Sequence, residues 1–82
     1  MIRLNEAEAY WLQQISARLY ELKPDHETNR LRYKFERAPL AVSLTRPQRE
    51  HIREMGSFRL DQADCVLESE RTIIQSIISK CR

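Results

Sequence analysis

Helix breakers are rare in this chain of 82 residues and divide it at four points: Pro24, Pro39, Pro47 and Gly56, the only glycine. Proline removes a backbone donor and clashes with the preceding turn, and glycine is the residue best suited to end a helix. Between these points apolar residues recur at three- and four-residue spacing, the period of an amphipathic helix. We therefore expect an all-α fold, a small bundle of three to four helices forming a single domain over residues 1–82.

Two segments carry clear signals for the start of a helix. Asn5 and Thr45 can each cap a helix, and each is followed three residues later by Glu or Gln, the capping-box pattern. These caps predict helices over residues 6–22 and 46–55. Gly56 is expected to end the second of them in a left-handed conformation.

The remaining C-terminal segment contains no breaker and predicts one helix over residues 58–80, about 34 Å long. Its isoleucines cover an arc of roughly 140°, wider than the stripe of about 100° that packing on one side requires. This surplus apolar surface predicts a homodimer that self-associates through Val66, Ile73, Ile74, Ile77 and Ile78. In the alternative, both sides of the helix are covered within the chain.

Residues 29–44 fit two structures. Leu31, Tyr33 and Phe35 alternate with basic residues, which is a strand pattern. Leu31 and Phe35 are also one helical turn apart, which predicts a helix over residues 28–37. We expect the helix, because a lone strand would lack a partner, and place the aromatic residues in the core. The basic residues share one face in either structure.

Cysteine and histidine show no spacing typical of a reactive site. Cys65 and Cys81 would lie about 24 Å apart on one helix, too far for a disulfide, and unpaired thiols fit a reducing compartment. Together with His26 and His51 they form no metal-ligand pattern, so we expect neither a metal nor another cofactor. No nucleophile–base arrangement and no glycine-built turn indicates catalysis, so the expected protein is not an enzyme.

Hydropathy predicts no membrane contact. No apolar run approaches the roughly 18 residues that a bilayer span requires. The N-terminal residues also lack the apolar core of a signal peptide. We therefore expect a cytoplasmic protein.

Positive charge is concentrated in the middle of the chain. The formal net charge is +2, and residues 24–49 carry six basic and three acidic side chains. The surplus apolar surface of the C-terminal helix and the aromatic residues of the first helix favour a protein-interaction module that binds and occludes or bridges a protein partner, in the manner of an adaptor or of an inhibitor made by a phage or mobile element. The basic residues would anchor it on acidic groups of the partner. The predicted partner-binding residues are Tyr10, Trp11, Tyr20, Arg30, Arg32, Lys34 and Arg37.

The alternative is a small nucleic-acid-binding regulator that uses the basic segment 30–37. Basic side chains that alternate with aromatic ones can follow a phosphate backbone and stack on bases. Two observations count against it. The aromatic residues of this segment are expected in the core, and a helix-turn-helix formed around Gly56 would direct carboxylates towards the phosphates.

Overall fold

The part of the chain that the computed structural model describes, residues 1–62 and 66–82, is mostly helical, which confirms the all-α fold class. Its elements are, in chain order, β1 (Ile2–Arg3), α1 (Glu6–Leu22), α2 (His26–Phe35), β2 (Ala41–Val42), α3 (Arg46–Asp61) and α4 (Glu68–Lys80). The two strands form a short antiparallel pair. The chain divides into two compact units, essentially residues 3–42 and 43–82, while the single-domain organisation stays a prediction.

In the first unit α1 packs against α2. The predicted capping box is present at the start of α1: Asn5 Oδ1 accepts the backbone N–H of Glu8, and the Glu8 carboxylate accepts that of Asn5, both at 2.8 Å. The helix ends before Pro24, so its predicted bounds are confirmed. The buried apolar side chains of this unit are Leu4, Ala9, Trp11, Leu12, Leu31, Phe35 and Val42.

The ambiguous segment forms the helix α2 and is a strand only at Ala41–Val42. Burial of Leu31 and Phe35, one turn apart, stabilises the helical alternative. Strand β2 has the partner β1 near the N-terminus, which the sequence pattern did not reveal.

The corner between α1 and α2 is closed by Thr28. Asp25 Oδ1 accepts the Thr28 backbone N–H at 2.8 Å, and Thr28 Oγ1 accepts the Asp25 backbone N–H at 3.0 Å. The Thr28 hydroxyl donates to the carbonyl of Lys23, the C-cap of α1, at 2.8 Å. This second capping box was not predicted, because its third residue is threonine rather than Glu or Gln.

Acid is expected to weaken the start of α2. The hydrogen bond from the Thr28 backbone N–H holds the pKa of Asp25 below its ordinary value of 3.8, so the stabilising contribution is present above that pH and is lost as the pH falls through the lower folded value. The Asp25→Asn variant keeps a cap that cannot titrate. The free energies of unfolding of the protein and of this variant, measured in urea, should differ at about pH 6 and converge as the pH falls towards about 2. A pH-independent difference would contradict this assignment.

In the second unit α3 packs against α4. The predicted Thr45 cap is present, with Thr45 Oγ1 accepting the backbone N–H of Gln48 at 3.3 Å. The prediction that Gly56 ends this helix is wrong, since α3 continues to Asp61. The prediction of one helix over residues 58–80 is also wrong, because α4 begins only at Glu68.

Gly56 is buried inside α3, at a point where α4 packs closely against it. A Cβ atom at this position would lie 3.0 Å from Ile78 Cγ1 and 3.1 Å from Ile74 Cγ2. The glycine therefore serves the packing of two helices rather than the end of one, and tertiary contact overrides its low helix propensity. Arg59 Nε donates to the Glu70 carboxylate at 3.1 Å and adds a polar contact between the same two helices.

Candidate binding face

The basic residues of the middle segment lie on and beside the outward side of α2. Because Leu31 and Phe35 turn inward, positions 30 and 33 fall on the opposite side of the helix, the half-buried Lys34 lies at its border, and Arg37 lies just beyond its end. Arg32 lies at the border, near Tyr20 of α1. We name this set the basic–aromatic face; its members are Tyr20, Arg30, Arg32, Tyr33, Lys34 and Arg37.

Arg32 lies over two tyrosine rings. Its guanidinium carbon is 4.6 Å from the centroid of the Tyr20 ring and 4.7 Å from that of Tyr33. One terminal nitrogen donates to Asn29 Oδ1 at 2.8 Å, while Nε is buried without a hydrogen-bond partner. Within residues 1–62 and 66–82 no carboxylate pairs with Arg32, so aromatic faces and one amide stabilise its charge.

Tyr33 is 61% exposed, although the alternation pattern predicted it in the core together with Phe35. The prediction is correct for Phe35, which is fully buried, and wrong for Tyr33. The helical period gives the reason, since residues two apart point about 200° away from each other on a helix. The helix expected for this segment therefore implies a surface position for Tyr33, and its assignment to the core was inconsistent with that helix.

Arg30 and Arg37 are exposed on either side of Tyr33 along the chain. Neither forms an ion pair with any residue of the described ranges. Glu27 and Glu36 are also exposed near the two ends of α2 and lower the net positive charge there. The face thus offers two hydrated guanidinium groups beside an accessible aromatic ring.

The other predicted partner-binding residues differ in accessibility. Tyr10 is 61% exposed, whereas Trp11 is 7% exposed and belongs to the core. Tyr20 is half-buried under Arg32. The indole of Trp11 therefore offers almost no surface to a partner.

The isoleucines predicted to mediate self-association are largely covered within one chain. Ile74 and Ile77 have no exposed surface, while Val66, Ile73 and Ile78 are half-buried. The surplus of apolar surface that predicted a homodimer is therefore absent at the two central positions. The homodimer itself stays a prediction.

Helices α3 and α4 border an open groove of about 650 Å³. Its lining combines the carboxylates of Glu54 and Asp61, the guanidinium groups of Arg53 and Arg82, and the exposed ring of Phe58. Because both signs of charge line the groove, electrostatic complementarity favours no single class of ligand there. It is a weaker candidate than the basic–aromatic face.

The residue types that carry metal or thiol chemistry lie apart from this face. Among the described residues no three His, Cys, Asp or Glu side chains meet as a metal site would require. Cys81 is a buried free thiol, and burial raises its pKa against the opposing effect of Arg49 and Arg53. Cys65 lies outside the described residues. Its predicted distance of about 24 Å from Cys81 assumed one helix over residues 58–80, and that helix is not formed.

Comparison with protein-family models, with curated proteins and with solved structures finds no match for this chain. The described helices include none that is both long enough and apolar enough to cross a bilayer. Function is therefore inferred from the chemistry of the basic–aromatic face.

Proposed function

We propose that the protein is a non-catalytic binding module that holds an anionic macromolecule on the basic–aromatic face and acts by occluding or bridging that partner. The observation that supports this proposal best is the pair of exposed guanidinium groups, Arg30 and Arg37, that flank the exposed Tyr33 without ion-pair partners among the described residues. Guanidinium groups bind carboxylates and phosphates through two parallel hydrogen bonds.

Arg32 adds a charge that is already partly removed from water. Its Nε is buried and has no hydrogen-bond partner, and its other contacts are to two rings and one amide. A buried donor without a partner is costly, so an anion placed beside Arg32 gains more than it would beside a fully hydrated side chain. The ligand that best complements the face is therefore negatively charged.

The proposal keeps the binding role expected from the sequence but changes the surface that performs it. Trp11, Ile74 and Ile77 are buried, so an apolar interface built on them would require the chain to open. Tyrosine and arginine, the residue types of the basic–aromatic face, are both enriched at the energetic centres of protein interfaces. An acidic protein surface is thus one class of partner that the face fits.

Retention on immobilised heparin, a polyanion, tests the proposal. The Arg30→Ala/Arg37→Ala variant is expected to elute at a clearly lower salt concentration than the unmodified protein, because two counterion-releasing contacts are lost. The matched control is Arg3→Ala/Arg18→Ala, which removes the same charge from two exposed positions outside the face. Equal elution of the two double variants would contradict the proposal.

A further inference from the structure

We infer that the anionic partner is a single-stranded nucleic acid whose bases stack on Tyr33 while its phosphates contact Arg30 and Arg37. The inference rests on the proposed function and names the partner class of the same face. This partner requires an accessible aromatic ring close to cationic side chains, and Tyr33 on α2 meets that requirement. In a strand over residues 29–37, Tyr33 would instead share the inward side with Leu31 and Phe35.

The outward side of α2 carries charge and one aromatic ring but no aliphatic side chain. Positions 26, 29, 30 and 33 of this side and positions 36 and 37 just beyond the helix are His, Asn, Arg, Tyr, Glu and Arg. The centre of a protein interface is apolar and depleted of charge, which this side of α2 does not provide. A charged backbone with flat, stackable bases is the better complement.

The spacing along α2 suits such a strand. Arg30 precedes Tyr33 by three residues, about one helical turn, and Arg37 follows it by four residues, two beyond the end of α2. A base on Tyr33 would leave the phosphates on its two sides within reach of long, flexible arginine side chains. Arg30 and Arg37 are both exposed and able to reorient toward them.

Arg32 prepares the ring for stacking. Its guanidinium lies 4.7 Å from the Tyr33 centroid, and the hydrogen bond to Asn29 holds the guanidinium in place. With Arg32 over one face, the 61% exposure of Tyr33 leaves the remaining surface accessible. A side chain ordered before binding loses less conformational entropy when the ligand arrives.

A single strand fits better than a duplex. Bases in a duplex stack on each other and present only their edges in the grooves, so a tyrosine ring on a helix surface cannot stack on them. An unpaired base exposes its face and can lie on the ring. Contact through Tyr33 therefore distinguishes the two forms.

The test is fluorescence anisotropy with the full chain and four labelled probes: an oligouridylate and an oligothymidylate of about 20 nucleotides, a duplex of equal length, and a polyglutamate peptide. We expect the single strands to bind more tightly than the duplex and the peptide. Tyr33→Ala should weaken single-strand binding by about 5- to 160-fold, the range for one stacked base, whereas Tyr33→Phe should change it by less than about twofold.

Three further variants complete the experiment. Phe58→Ala removes an aromatic ring of similar exposure, 66%, from α3, outside the basic–aromatic face, and should leave the affinity unchanged. Arg30→Ala/Arg37→Ala should lower the slope of log affinity against log salt by about 1.4, since each phosphate contact on a single strand contributes about 0.7. Tyr33→Leu, which keeps side-chain bulk without a ring, should weaken single-strand binding as much as Tyr33→Ala does. Circular dichroism shows whether each variant is folded.

The outcomes separate the inference from the proposed function. Binding of polyglutamate but of no oligonucleotide, with dependence on Arg30 and Arg37, would overturn the nucleic-acid inference and leave the binding module in place. Equal binding of single strand and duplex, unaffected by Tyr33→Ala, would also overturn the inference. Absence of binding to all four probes and to heparin would overturn both.

Discussion

Replacing Ile74 by aspartate is expected to leave the second unit unfolded at room temperature. Ile74 lies in α4 with no exposed surface, against the buried Gly56 of α3. Removal of a buried isoleucine costs about 2–5 kcal/mol, and a carboxylate placed there without a partner adds the cost of its desolvation. The sum is comparable to the roughly 5–15 kcal/mol that stabilises a typical domain.

Urea unfolding followed by circular dichroism measures this effect. The matched control is Gln75→Asp, which introduces the same charge at the next residue, where the side chain is exposed. We expect its free energy of unfolding to stay within about 0.5 kcal/mol of the unmodified protein. An Ile74→Asp variant that loses less than about 1 kcal/mol would show that this side chain is not buried in solution.

Gly56→Val should lower the free energy of unfolding by about 2–3 kcal/mol, because the added atoms overlap α4. The first of these atoms alone would stand 3.0 Å from Ile78 Cγ1 and 3.1 Å from Ile74 Cγ2. Such a loss corresponds to a fall in Tm of roughly 10–20 °C for a domain of this size. Thermal unfolding monitored by circular dichroism gives the value.

Ser57→Val is the matched control, since Ser57 follows Gly56 on α3 but is exposed, and its Tm should change little. A second test uses Gly56→Ala with and without Ile78→Val. Alanine gains about 1 kcal/mol of helix propensity over glycine, and valine at position 78 lacks the Cδ1 atom that would stand 3.1 Å from the added Cβ. The double variant should therefore be more stable than the sum of the two single changes predicts, and strict additivity would contradict the close approach.

The elements that depend on local signals were predictable from the sequence. The caps at Asn5 and Thr45 are hydrogen bonds between residues three apart, so the sequence alone contains both partners. The start of α2 was harder, because Thr28 takes the place of the usual Glu or Gln. The end of α3 was not predictable, because the conformation of Gly56 depends on isoleucines about 20 residues further along the chain.

The same distinction applies to the candidate site. The positions of Arg30 and Arg37 on one face follow from the helical period, and both are exposed as expected. Periodicity does not reveal what covers an apolar face, and for this reason Trp11 and Ile74 were predicted as contact surface although both are buried. Tyr33 was misplaced because so short a chain was expected to bury its aromatic residues, although the helical period places Tyr33 on the side opposite Phe35.

The hydroxyl of Thr28 has a consequence for recognition. The Thr28 hydroxyl oxygen accepts a hydrogen bond from the backbone N–H of Asp25, the N-cap of α2. The same hydroxyl donates to the carbonyl of Lys23, the C-cap of α1, and joins the two helices at a reversal of the chain that contains no glycine. The direction in which α2 leaves α1 is thereby fixed before any ligand arrives. In the proposed binding mode, a threonine that never touches the ligand thus helps to set where Arg30 and Tyr33 stand relative to α1.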